Sequence, residues 1–273
     1  MKVEIYGHNH SPWVQAVLLA LHEKGIEHSL RPLPPLATLK HWGVFMPAAT
    51  IDGGPWEIES SQILVKLGHT PISDEDLQAV QAAFQGVLHR ADNPLRFFAA
   101  FANAGDKSPS LFRRSGRNFL RSFIPFYMFT LINFAKRVIK PSEPENFGDQ
   151  YLVWERALEA SSGPFVDGDA PGIRDFLLFG IVQCHSSIPR PPLEPLLSDE
   201  RLPLMRQWIA SMHERFRGYP HLYSGGYFEP NMPQPVPADF VQRAICYLGL
   251  LTMFVGFPVT LPLVFLLMRK APR

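Results

Sequence analysis

The sequence predicts an α/β unit at the N-terminus, an all-α body behind it, and an apolar C-terminal segment suited to a membrane. Three observations carry this prediction. The stretch up to Leu67 reads as β-α-β-(short α)-β-β-α. From Ser73 to Arg217 the apolar residues recur with helical spacing between Pro and Gly breaks. Finally, Ala244–Met268 contains no charged residue and no His, Asn or Gln.

Taken in order, Val3-Glu4-Ile5-Tyr6 alternates as a short strand. Gly7 to Ser11 form a polar turn, and Pro12 opens a helix where a missing N–H is harmless. Trp13, Val14, Val17, Leu18 and Leu21 follow at helical spacing, and Gly25 ends the run. Ile26–Arg31 is a second strand, followed by a Pro-rich link with one helical turn near Leu36–Trp42. Ala48–Ile51 and Trp56–Ile58 flank Asp52-Gly53, a strong hairpin signal. Ser60 or Ser61 then starts a helix to Leu67. Ser73 with an acid at Asp76 is a helix-start signature. The helix it opens is expected to reach about Asn103, with further helices over 111–140, 147–160, 173–185 and 201–217. The Pro clusters at 32–35, 189–195 and 230–237 read as connectors.

Composition narrows the function. A net charge of +1 supplies no global field for nucleic acid. Cys184 and Cys246 make neither a disulfide framework nor a zinc-ligand pattern. The N-terminus lacks an apolar signal core, which points to a body kept in the cytosol.

At about 1.5 Å per residue, a helix over 244–268 would exceed a hydrocarbon core of roughly 30 Å. Pro258 and Pro262 leave two arrangements open: a kinked single span, or a re-entrant hairpin turning at Gly256-Phe257-Pro258. Arg269, Lys270 and Arg273 outweigh the preceding Arg243 and favour a cytoplasmic C-terminus, which suits the hairpin if the body is also cytoplasmic. The short tail makes a single span cheap to insert.

Several motifs together resemble the glutathione transferase superfamily. Ser11-Pro12-Trp13-Val14-Gln15 is similar to the motif opening the first helix in its Ser and Cys classes. Met46-Pro47 stands where the family has Val-Pro with a cis proline. Glu59-Ser60-Ser61-Gln62-Ile63-Leu64 resembles Glu-Ser-x-x-Ile-Leu, and 167–176 resembles the Gly-Asp-x-Pro-Ser-Ile-x-Asp segment. The resemblance implies a thioredoxin-like domain over 1–70 and a helical glutathione-transferase-type domain over 73–218; the linker over 219–243 and the membrane segment over 244–268 are read from composition and lie outside it.

It also implies glutathione as co-substrate. Ser11 would be the catalytic residue, its hydroxyl donating to the thiolate at a helix N-terminus that favours anions. Met46 and Pro47 would pair with the tripeptide backbone, and Glu59 and Ser60 would meet its γ-glutamyl end. Ser11 and Ser60 could equally be ordinary helix caps. His8 and His10 are further candidates for a proton or hydrogen bond, Tyr6 a weaker one, and Lys40 or His41 could meet the glycine end. Asp175 would close a capping box, with Gly172 standing in place of the family's Ser or Thr, so the box is expected to be half present. The absence of Cys at position 11 argues against mixed-disulfide chemistry, so any activity is expected to be conjugation, addition, isomerisation or peroxide reduction.

Between Arg113 and Lys140 lie seven basic residues and no acid, interleaved with FIPFYMFTLINFA. This is either a helical core with a solvated basic edge or a face for anionic headgroups. The expectation is a membrane-anchored glutathione transferase facing the cytoplasm and serving detoxification, with a lipophilic electrophile or peroxide as second substrate. Membrane lipids and a homodimer are the other partners weighed. The alternative is a non-catalytic scaffold of the same fold at a membrane.

Overall fold

The computed structural model describes residues 1–89, 94–103, 105, 109–185, 193–223 and 238–268. The chain opens with β1 (Lys2–Tyr6), α1 (Pro12–Glu23), β2 (Glu27–Arg31), α2 (Leu36–Trp42), β3 (Ala48–Ile51), β4 (Glu57–Ile58) and α3 (Ser60–Lys66). The sheet order is β2-β1-β3-β4, with β1 and β2 parallel and the remaining pairs antiparallel. This mixed sheet, with α1 between its parallel strands, is the α/β unit expected at the N-terminus. Asp52 and Gly53 both take positive φ (50° and 73°), as the tight Asp-Gly turn between β3 and β4 requires.

Helix α1 is buried almost all round, from Val14 to Leu21. One neighbour is α9 (Ile173–His185). Gly180 lies inside α9, where helix propensity alone would disfavour glycine. A Cβ there would collide with the Pro12 carbonyl oxygen, so glycine is what lets the two helices approach.

The body continues through α4 (Asp74–Gln85), α5 (Pro94–Asn103), α6 (Leu111–Arg121), α7 (Phe123–Ile139), α8 (Leu152–Glu159), α9, α10 (Glu194–Ser198) and α11 (Pro203–Arg215). The Ser73 start signal is realised: its hydroxyl accepts from Asp76 N–H at 3.1 Å and donates to the Asp76 carboxylate at 2.9 Å. The single helix expected to Asn103 is interrupted. A 3₁₀ turn at Gly86–His89 ends α4, and Pro94 begins a separate α5. The helix expected over 111–140 breaks at Ser122, whose hydroxyl donates to Phe119 C=O at 2.6 Å. Pro125, just inside α7, has no N–H to return to the preceding turn. The helix expected over 147–160 starts as a 3₁₀ turn, Asp149–Tyr151. α10 was not expected in a Pro-rich stretch; Pro195 sits in its first turn, where proline is tolerated. Pro189, Pro191, Pro192 and the 230–237 cluster lie outside the described residues.

At the N-terminus of α9 the box is half present, as expected: Asp175 accepts from Gly172 N–H, and position 172 has no hydroxyl to return the bond. Asp175 is fully buried and accepts from Val166, Asp167 and Gly172 N–H and from Trp208 Nε1, at 2.7 to 3.1 Å. Asp167 takes over the capping role by accepting from Arg174 N–H at 3.1 Å. Its carboxylate fills the space a side chain at 172 would need, so Gly172 is an accommodation and not a defect.

The chain ends in α12 (Phe240–Met268), one continuous helix containing Pro258 and Pro262. The hairpin turn at Gly256-Phe257-Pro258 does not form. The helix also begins before Ala244, because Asp239 caps it by accepting from Gln242 N–H at 2.8 Å. One face is a packed seam at heptad-like spacing, formed by Gln242, Cys246, Gly249 and Met253. Asn118 Nδ2 donates to Gln242 Oε1 at 2.7 Å, Gly249 lies against Ser122, and Phe126 meets Phe257 edge-on with ring centroids 5.7 Å apart. Much of the remaining surface is exposed and apolar, including Tyr247, Leu248, Leu251, Phe254, Val255 and Val259. By length and composition Phe240–Leu266 can cross a membrane. The basic residues after Met268 lie outside the described residues.

Replacing Asp175 with Ala should strand the buried donors around it and cost about 3 kcal/mol or more. Urea unfolding of the full chain in detergent would read this as a lower midpoint, with Asp175→Asn retaining part of the loss.

Candidate functional site

The sheet register brings the sequence-singled loops to one end. Tyr6 lies opposite Ala48, and Ala48 opposite Ile58. The next residues outward along the three strands are therefore Gly7, Pro47 and Glu59. Gly7 has no room for a side chain: a Cβ there would collide with Val14 and come within 3.4 Å of Met46 Cβ. Ser11 follows Gly7 at the mouth of α1, the Met46–Pro47 bond is cis, and Ser60 is the first residue of α3. Neighbouring strand ends thus lead into the N-termini of two helices, with the Met46–Pro47 segment entering the strand between them.

The capping reading of both serines is not realised. Ser11 is in the N-cap position with extended backbone (φ −73°, ψ 127°), yet its hydroxyl makes no capping bond. Ser60 is buried and follows Glu59, whose side chain caps nothing. Glu59 itself holds φ 74°, a left-handed conformation that a side-chain-bearing residue adopts only under constraint from its surroundings. Both helix entrances are therefore shaped without using these hydroxyls as caps.

The turn between Gly7 and Ser11 closes through Ser11 N–H donating to His8 C=O at 2.9 Å. His10 is buried, with Phe101 of α5 at 5.9 Å and Tyr223 at 6.2 Å between ring centroids, and His8 at 5.7 Å. Burial, reinforced by the cationic Arg121 and Arg117, pushes His8 down to about 4. Burial chiefly, then His8 and Arg121, holds His10 well below the ordinary imidazole range. Both rings are neutral at pH 7, so neither is a cationic proton donor there. Tyr6 is turned away from this role: its hydroxyl donates to Val44 C=O at 3.2 Å and burial pushes its pKa up to about 12. Lys40 and His41 are exposed at the end of α2, a helix of seven residues and not a single turn.

Two contributions were not foreseen. Arg117 and Arg121 belong to the basic segment read as a solvated or membrane-facing edge, yet their charge reaches the His8 turn. The segment after α11 also returns to α1. Tyr219 stacks on His22 with ring centroids 4.2 Å apart and donates to Leu18 C=O at 3.1 Å. Gln15, buried one turn beyond Ser11, accepts from Tyr223 N–H at 2.5 Å and donates to His221 C=O at 3.3 Å. A buried polar residue on an otherwise apolar helix was the available signal for this strap.

No known protein-family profile matches the chain, and comparison with curated proteins returns no match. Among solved structures, a theta-class glutathione S-transferase from Xanthomonas axonopodis pv. citri with glutathione bound is 16% identical, with 82% of this chain and 96% of that one covered and a TM-score of 0.41. A maleylacetoacetate isomerase from Anaeromyxobacter dehalogenans 2CP-1 with bound glutathione is 18% identical, with 85% and 98% covered and a TM-score of 0.41. A glutathione S-transferase from Pseudomonas fluorescens is 14% identical, with 80% and 96% covered and a TM-score of 0.40. Likeness of that degree says nothing about what this chain binds.

The depressed histidines give stability a defined pH dependence. Unfolded imidazoles take up protons below their ordinary value of 6.5, whereas His8 resists until about 4. Their contribution is therefore complete above pH 6.5 and is lost as pH falls toward the folded values. Urea midpoints should decline as pH falls from about 6.5 toward 4, and replacing His8 and His10 by Asn should lessen that decline, the remainder coming from His69, His213 and His221, which burial also holds low.

Proposed function

We propose that the chain is a membrane-anchored glutathione transferase that activates the glutathione thiol for attack on a lipophilic electrophile. The observation that carries this reading is the alignment of Gly7, Pro47 and Glu59 by sheet register, with uncapped Ser11 and Ser60 at two helix N-termini. In this reading Ser60 and the start of α3 hold the γ-glutamyl carboxylate, and the Met46 backbone pairs with the extended tripeptide. Ser11 donates its hydroxyl hydrogen to the sulfur, and the positive end of α1 favours the thiolate over the thiol. The sulfur lone pair then forms the bond to carbon while the leaving group departs with its electron pair. Arg117 and Arg121 add positive potential that assists an anion near the same turn. α12 would hold the body at a bilayer, where an apolar substrate is concentrated, with the body on the cytoplasmic side.

The second reading is a scaffold of this fold at a membrane without chemistry. It is favoured by the neutral, buried state of His10 and the low pKa of His8, which leave the His8–Ser11 turn without a proton donor of ordinary strength near pH 7.

Calorimetry of the full chain in detergent micelles tests the first reading. Glutathione should bind saturably, and Ser60→Ala should weaken it about tenfold, the loss of one hydrogen bond to a charged group. Ser11→Ala should leave binding nearly intact while raising the pKa of the bound thiol by about one unit, read from the pH dependence of conjugation. No heat from a folded chain at millimolar glutathione would favour the scaffold.

A further inference from the structure

Helix α7 is far more apolar than its burial warrants. Of its seventeen residues, Pro125 is the buried one. Phe134 and Val138, one turn apart on one face, are 59% and 64% exposed, and the adjacent Ile139 is 61% exposed. Scattered exposed apolar residues are ordinary, but these belong to a helix that contacts α12. α12 presents its own exposed stripe of Leu248, Leu251, Val255, Val259 and Leu263, spaced by turns of a helix. The buried Asn118–Gln242 bond and the close approach of Gly249 to Ser122 fix α12 to the junction of α6 and α7. The first turns of α7 are therefore held against the helix that a bilayer would receive.

The charge pattern selects the kind of surface. From Lys107 to Ser142 the chain has no acid, and Lys136, Arg137 and Lys140 alternate with the exposed apolar residues at the end of α7. Apolar side chains interleaved with cations suit the boundary between acyl chains and anionic headgroups. We propose that α7 is a second membrane-contacting helix, which seats Phe134, Val138 and Ile139 in an anionic leaflet beside α12. This rests on the membrane reading of α12. The body then sits on the leaflet by a fixed two-helix face, not at the end of a loose tether.

The test uses the unaltered full chain in phosphatidylcholine vesicles, with and without phosphatidylserine, carrying a lipid with a photoactivatable diazirine in its acyl chain. Adduct positions are then mapped by mass spectrometry. Adducts on both 123–139 and 240–268, those on α7 increasing with phosphatidylserine, are expected. Phe134→Ser with Val138→Ser should lower the α7 adducts severalfold and abolish their dependence on phosphatidylserine, while α12 adducts persist. Adducts on α12 alone would overturn the proposal and leave the anchor standing. Adducts on neither would overturn the anchor itself. Cross-links between α7 helices of two chains, without lipid adducts there, would identify a second copy as the occupant and also overturn the proposal.

Discussion

The close crossing of α1 by α9 is the constraint on which the rest of the structure depends. α1 packs among the sheet, α3 and α9, so its apolar residues cannot leave one neighbour without exposing themselves to the others. Gly180 sets the distance of that crossing at Pro12, the first residue of α1 and the neighbour of Ser11. The same contact that joins the α/β unit to the helical body thus fixes the entrance of α1. Asp175, at the start of α9, ties this arrangement to α11 through Trp208. The helical body in this way acts on the candidate site by holding α1 in place.

Much of this plan was legible in the sequence because it rests on local rules. Gly and Pro punctuate α1, Asp-Gly makes the hairpin turn, and Ser73 with Asp76 opens α4. The parts that were not legible depend on tertiary partners. Nothing local says that Asp167 will cap α9 in place of a residue at 172. The break at Ser122 needs both the Ser122 hydroxyl and Pro125, which look harmless in an apolar run. The α12 start was missed because apolarity alone marked the segment, whereas the helix is begun by a polar cap at Asp239.

The candidate site shows the same division. Motif and position single out Ser11, Met46, Pro47, Glu59 and Ser60, and the strand register explains why such distant residues end at one edge. The resemblance could not foretell that both hydroxyls would leave the capping role unfilled. Nor could it foretell that α6 would bring cations to the His8 turn, since that requires knowing how α6 packs. The apolar tail is likewise half explained by composition: its outer stripe suits lipid, while its inner seam is built around Asn118, Ser122 and Gly249.

The proposed function requires glutathione to occupy the end of the sheet where these three loops meet. Hydrogen–deuterium exchange of the full chain in detergent micelles, with and without glutathione, addresses it most directly. Slowed exchange confined to the α1 entrance, the Met46–Pro47 segment and the start of α3 is expected. Unchanged exchange at all three, or protection elsewhere in the chain, would contradict it.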